Sequence, residues 1–169
     1  MTITFALEAP SHGAAVQQLL HSAFDADWPN RPASRLRAGM APLPDLCRVA
    51  CEGGGLVGVI RHYAVAFGTA RLPGLMLGPV AVLPAVRGQG VARALIRASL
   101  AHARALDWRR VLLVGDPAYY GKLGFEMAAP HGLTLAGGDD RLMVRALVPG
   151  GLDGIAGPIT AGGWVRWAA

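Results

Sequence analysis

Apolar residues in this chain recur with two spacings, that of strands and that of helices, and the two alternate along its length. Ile3 to Leu7 reads as a short strand, and Pro10 and Ser11 then open a helix carrying Val16, Leu19, Leu20, Ala23 and Phe24 on one side. Prolines 29, 32, 42 and 44 punctuate the stretch from Asp25 to Pro44, with Arg31, Arg35 and Arg37 between them. Proline interrupts helix and ladder hydrogen bonding alike, so this stretch is expected to hold at most one short helix, around 33–38, and to form a mobile surface segment. Leu46 to Glu52 and Leu56 to Phe67 flank Gly53, Gly54 and Gly55, whose freedom to take positive φ eases a tight reversal, and the pair reads as a β-hairpin.

After a turn expected at Pro73 and Gly74, Leu75 to Leu83 reads as another strand. Gly78 and Pro79 interrupt it, and a bulge or splay is expected there because proline cannot donate to a ladder. Gly88 to Leu106 is the longest helical pattern, with Val91, Ala94, Leu95, Ala98 and Ala105 along one side and Arg93, Arg97 and Arg104 on another. Arg110 to Gly115 has the composition of a buried strand, after which Asp116 and Pro117 supply the N-cap and first residue of a short helix, 117–123. Segments 125–129 and 142–148 read as strands joined through the turn-rich 137–140. The order predicts a mixed α/β fold in which antiparallel hairpins precede a right-handed helical crossover. The tail, 150–169, is rich in glycine and ends in Trp164 and Trp167, which read equally as a cap on a sheet edge or part of a dimer interface. Its pattern assigns it no structure.

A length of 169 residues sets the expectation of a single domain, 1–169, and 53% hydrophobic against 16% charged residues excludes a disordered chain. The mean hydropathy of +0.37 raises the question of a membrane span. The uncharged run Leu72 to Val86 is too short for one and is broken by Pro73, Pro79 and Pro84. The first eight residues lack the basic start, apolar stretch and cleavage site of a secretory signal, so a cytoplasmic protein is expected, as monomer or homodimer. Cys47 and Cys51 are the only cysteines, too few for a disulfide framework, and the histidines show no metal-ligand spacing, so no metal is expected. Lys122 is the single lysine beside fifteen arginines, and the net charge of +5 makes the chain attractive to anions. The arginines form no basic run and do not interleave with aromatics, which argues against nucleic acid as partner.

Position then decides which anion. The stretch Arg87-Gly88-Gln89-Gly90-Val91-Ala92-Arg93 joins an apolar strand to the long helix. Its glycines let a ligand approach the main chain, and the first N–H groups of the helix point outward, without intrahelical partners, at the positive end of the dipole. A pyrophosphate would satisfy several of them, and it would explain cations at 87 and 93, where a helix start favours acids. The chain lacks both the Lys-Ser/Thr ending of a P-loop and a dinucleotide glycine fingerprint, which disfavours nucleotide hydrolysis.

Arg87-x-x-Gly90-x-Ala92 after an apolar strand, followed about thirty residues on by Tyr119-Tyr120-Gly121-Lys122-Leu123-Gly124-Phe125, resembles the GNAT superfamily of acyl-CoA-dependent N-acetyltransferases, in a branch of small bacterial members. The resemblance implies a central, mostly antiparallel sheet flanked by helices and splayed between its fourth and fifth strands. It implies transfer of an acetyl group from acetyl-CoA, as cosubstrate, directly to a primary amine of a small molecule or protein. It further implies pyrophosphate binding by Arg87, Gly88, Gln89, Gly90, Val91, Ala92 and Arg93, pairing of the pantetheine arm with Val80, Ala81 and Val82, and polarisation of the thioester by the Val80 or Ala81 N–H. Tyr120 maps onto the general acid that protonates the leaving thiolate, with Tyr119 as its substitute. The compressed helix before the tyrosine motivates an alternative, an acyl-CoA-binding regulatory module without turnover.

The base that deprotonates the amine is not carried by any motif. Glu52, His62 and Asp116 are the candidates near sheet ends. Each has a plainer role beside it: a hairpin-end charge for Glu52, a hydrogen-bonded imidazole for His62, a helix cap for Asp116. Trp28 reads either as a wall of the acceptor pocket or as an aromatic anchor for the proline-rich loop.

Overall fold

The computed structural model describes residues 2–162; Trp164 and Trp167, with the roles expected for them, lie outside the described residues. In chain order the elements are β1 (Ile3–Leu7), α1 (Gly13–Ala23), α2 (Pro32–Arg37), β2 (Arg48–Glu52), β3 (Gly55–Phe67), β4 (Leu72–Val82), α3 (Val91–Ala105), β5 (Arg110–Val114), α4 (Pro117–Tyr120), β6 (Glu126–Met127), β7 (Leu133–Leu135), β8 (Leu142–Ala146) and β9 (Gly157–Ala161). Strands β1-β2-β3-β4-β5-β8-β6 lie side by side in one sheet. Neighbours in it are antiparallel except β4 and β5, which α3 connects as a crossover, as the order of elements predicts.

Helix α3 lays Val91, Leu95, Ile96, Leu100 and Ala103 on one face of the sheet, against Ala50, Ile60, Leu77, Val111 and Leu113. Each Val, Leu or Ile side chain among these contributes about 1.5–3 kcal/mol on burial. Across the sheet, α1 buries Val16, Leu19 and Leu20 on Val49, Val59 and Ala81, while Ala33 and Leu36 of α2 cover Tyr63, Met76 and Leu112. Arg61 of β3 reaches past β2 to Glu8, just beyond β1, its Nε donating to Oε2 at 2.9 Å with both side chains largely buried.

The feature that shapes the site is the relation of β4 to its two neighbours. Against β3 the register runs Ile60↔Val80 and then His62↔Leu77, so Gly78 and Pro79 together face Arg61 alone. That is a bulge, placed where the glycine–proline pair predicts one, and Gly78 at φ 128° occupies backbone space that other residues rarely enter. Against β5 only Leu75↔Val111 and Met76↔Leu112 are paired. Beyond them the two strands part, as the fourth–fifth strand splay requires.

Several expectations need correction. Pro73 and Gly74 lie inside β4, opposite Ala66 and Val65, and the reversal is made by Gly68 to Arg71 instead. Gly74 is a glycine for contact: a Cβ there would overlap the Phe67 ring and the Arg110 stem. Helix α3 begins at Val91 rather than Gly88, because Gly88 (φ 80°) and Gly90 (φ 81°) are left-handed. The strand expected over 125–129 shortens to β6, α4 ends at Tyr120 in a 3-10 turn, and the tail contains β9, paired with residues 65–67 of β3 and with β7.

Candidate active site

Two cavities meet at Phe24, Val80 and Tyr120. The larger, about 640 Å³, runs from the residues 87–93 loop along Val80, Ala81 and Val82 to Tyr119 and Tyr120. The smaller, about 200 Å³, occupies the splay itself, between Leu77 to Val80 and Leu113 to Val114, and is closed by the segment from Phe24 to Arg37 and by Asp139 and Arg141. All ten residues expected to hold a cofactor therefore line one cleft.

At the mouth of that cleft, α3 starts without a side-chain cap and without an acid in its first turn. The amides of Val91, Ala92 and Arg93 precede any carbonyl that the helix could offer them. A Cβ built on Gly88 or Gly90 would meet nothing within 4 Å, so these glycines serve the left-handed backbone while the space above them stays open. Arg87 and Arg93 are exposed, and neither forms an ion pair among the described residues. The end of a 15-residue helix and two unneutralised guanidiniums thus converge on one concavity, whose chemistry is that of an anion cradle.

Further in, strand geometry selects which amides face the cleft. The Leu83 N–H donates to the Val57 carbonyl at 2.9 Å, and the two residues stand opposite each other by register. Hydrogen-bonded pairs alternate along an antiparallel ladder, so Val59–Ala81 is the next such pair, whereas Val80 and Val82 direct their N–H and C=O away from β3, toward the splay. Ala81 therefore spends its amide in the ladder and drops out as the donor to a thioester; Val80 remains.

Tyr120 sits where the cavities join, edge-on to Tyr119 at 4.9 Å and to Phe125 at 6.0 Å between ring centroids. Its ring lies in the space that a side chain at Gly115 would fill. Burial, with smaller contributions from Tyr119 and Asp116, pushes its phenol up to about 12. Tyr119 is more exposed and lines only the larger cavity. Trp28 stacks on Phe24 at 4.5 Å and 10°, lines the small cavity, and carries the Arg37 guanidinium 4.8 Å above its ring.

The three base candidates are not brought together. Asp116 caps α4, its Oδ1 accepting from the Ala118 N–H at 2.9 Å, and is exposed. Glu52 ends β2 beside Gly55 at the hairpin and lines neither cavity. His62 is fully buried on β3, also outside both cavities, and burial pushes its imidazole down to about 3, with Arg48 adding to the effect. A ring that cannot be charged and cannot be reached does not serve as a base here. Conversely, Phe24, Ser34, Arg37, Asp139 and Arg141 border the site and were not singled out in advance; only the arginines between the prolines carried any signal of it. No group of histidine, cysteine or acidic residues that would hold a metal occurs among the described residues, and no helix there is long and apolar enough to cross a membrane.

A split sheet with an uncapped helix end at its mouth is the arrangement that the resemblance to acyl-CoA-dependent acetyltransferases implies. A model of the acetyltransferase (GNAT) family matches residues 13–125, and the chain belongs to that family. The uncharacterized N-acetyltransferase YhbS of Escherichia coli strain K12 is 29% identical over 153 residues, 89% of this chain and 91% of its own length. The crystal structure of YhbS from Escherichia coli in complex with CoA is similar with a TM-score of 0.81 at 27% identity, covering 94% of this chain and 89% of that one. A GNAT family acetyltransferase from Brucella melitensis in complex with acetyl-CoA follows at 0.71 and 27%, covering 96% and 97%.

Proposed function

We propose that the protein transfers an acetyl group from acetyl-CoA to a primary amine. The observation that carries this reading is the uncapped start of α3 under open space at Gly88 and Gly90, continuous with an unpaired edge of β4 that ends at Tyr120. The fit is chemical as well as spatial. Amides 91–93 with Arg87 and Arg93 suit a diphosphate, and the free N–H and C=O of Val82 and Val80 suit the amide groups of a pantetheine arm.

In this reading the Val80 N–H donates to the thioester oxygen as negative charge develops on it. The attacking amine must be neutral, and the net reaction moves one proton from its nitrogen to the departing sulfur. With its phenol raised to about 12, Tyr120 stays protonated and donates a hydrogen bond to that sulfur. A thiol titrates near 8.5, so outright loss of the phenolic proton to the thiolate is uphill by roughly 3.5 pKa units; Tyr120 gives its proton only as it recovers one from the nitrogen. The unpaired Cys47 and Cys51 support a reducing, cytoplasmic setting.

Calorimetry with acetyl-CoA and amine-dependent CoA release test the reading together. Binding with release is expected. Tyr120→Phe is expected to lower turnover about 100-fold or more while leaving the acetyl-CoA Kd within about twofold. The pH–rate profile of the wild type should climb as the amine deprotonates and show no fall up to pH 10, since Tyr120 does not ionise there. Binding with no release from any amine would leave a CoA-responsive module in place of an enzyme.

A further inference from the structure

The small cavity in the splay is bordered by three guanidiniums, those of Arg31, Arg37 and Arg141, against one carboxylate, Asp139. Two of the cations are answered locally: Arg31 pairs with Asp25 at 2.5 Å, and Arg141 lies 3.7 Å from Asp139. Arg37 is not. Its Nη2 donates to Ser34 Oγ at 2.8 Å and its Nη1 to the Ala33 carbonyl at 3.3 Å, both neutral acceptors, and no carboxylate meets it among the described residues. Two of five guanidinium N–H donors are thereby used. The group is also held in place, over the face of Trp28, which is itself stacked on Phe24. Burial pulls its proton affinity down, as expected of a cation taken from water without an anion beside it.

This is a poor place for a polyamine or a lysine side chain, which would add positive charge to an excess already there. It suits an acceptor that brings its own anion. The remaining walls, Met76, Leu77, Leu113 and Val114, are apolar, and about 200 Å³ is below the volume of a drug-sized ligand pocket. A guanidinium fork holds a planar carboxylate through two parallel N–H donors, and an amino acid carries that group next to its amine.

We infer that the acceptor is a small amino acid whose carboxylate is bound by Arg37 while its amine faces Val80 and Tyr120. The inference rests on the acetyltransferase reading and deepens it.

The test uses the full chain with acetyl-CoA and matched acceptors: amino acids with apolar side chains, their carboxamides, and diamines, scored by CoA release. The acid is expected to exceed its carboxamide and the diamines in kcat/KM by about tenfold or more. Arg37→Gln should bring the acid-to-carboxamide ratio toward one, and Arg37→Lys should restore part of it. That ratio separates binding from structure, because loosening α2 would lower both substrates alike. Equal use of acid and carboxamide, preference for a diamine, or an unchanged ratio in Arg37→Gln overturns the inference while leaving acetyl transfer intact. If acetyl-CoA binds and no amine releases CoA, the acetyltransferase reading fails; the cavity is then probed with an N-acetyl amino acid and its carboxamide on CoA-saturated protein. Binding of the acid weakened about tenfold by Arg37→Gln upholds the carboxylate site, and no preference for the acid overturns it.

Discussion

Neither ring nitrogen of His62 has a hydrogen-bond partner among the described residues, although the Leu46 backbone close by exerts a weak pull toward the charged form. Desolvation outweighs that pull, and the ring titrates near 3 in the folded protein against about 6.5 when unfolded. Between those values the unfolded chain binds the additional proton, so the stability that His62 confers is complete above pH 6.5 and is lost as the pH falls below it. One such group gives a slope of about 1.4 kcal/mol per pH unit. Urea unfolding at pH 7, 6 and 5 should therefore show a steeper acid loss for the wild type than for His62→Leu. Parallel slopes in the two proteins would mean that the imidazole is hydrated after all. The same burial that makes this residue a stability switch removes it from catalysis.

At the scale of elements, the turn between β4 and α3 has to satisfy the backbone and the ligand at once. Gly90→Ala would force a side chain into a left-handed conformation costing about 1–2 kcal/mol, yet its Cβ would meet no protein atom. The expected outcome is a modest fall in unfolding stability with a much larger one, about tenfold or more, in acetyl-CoA affinity, read by calorimetry. Equal penalties on both would assign the glycine to folding alone.

What was legible in advance follows the same division. The helical spacing of α3, the Gly78–Pro79 interruption and the 87–93 loop are local patterns, and each appears where the sequence places it, save that the helix starts three residues later, at Val91. Gly74 misled because a glycine chosen for contact with Phe67 looks like one chosen for a turn. Strand β9 was hidden because Ile159 is its one buried residue, and one of its two partners, β3, lies some ninety residues earlier. The small cavity draws on segments near residues 24–37, 76–80, 113–120 and 139–141, so no window of sequence contains it. The misplacement of His62 has a similar cause: whether it can take up a proton is decided by what packs over it.

For the whole molecule, the relevant quantity is where the surplus of positive charge sits. A net +5 spread evenly would matter little at physiological salt, where screening acts within about 8 Å. Arg87 and Arg93 stand at the entrance to the large cleft without acidic partners, and Arg37 stands unanswered in the small one, so both approaches to Tyr120 are positive. A highly anionic cosubstrate entering by the first would gain from that field, and the gain should fade as salt shortens its reach. Acetyl-CoA binding measured without acceptor is therefore expected to weaken several-fold between 0.01 and 0.1 M salt, as the screening length drops from about 30 to about 10 Å. The double variant Arg87→Ala, Arg93→Ala should bind more weakly at low salt and lose most of the dependence. A wild-type affinity indifferent to salt would show that the main-chain amides of α3 hold the diphosphate with little help from the arginines beside them.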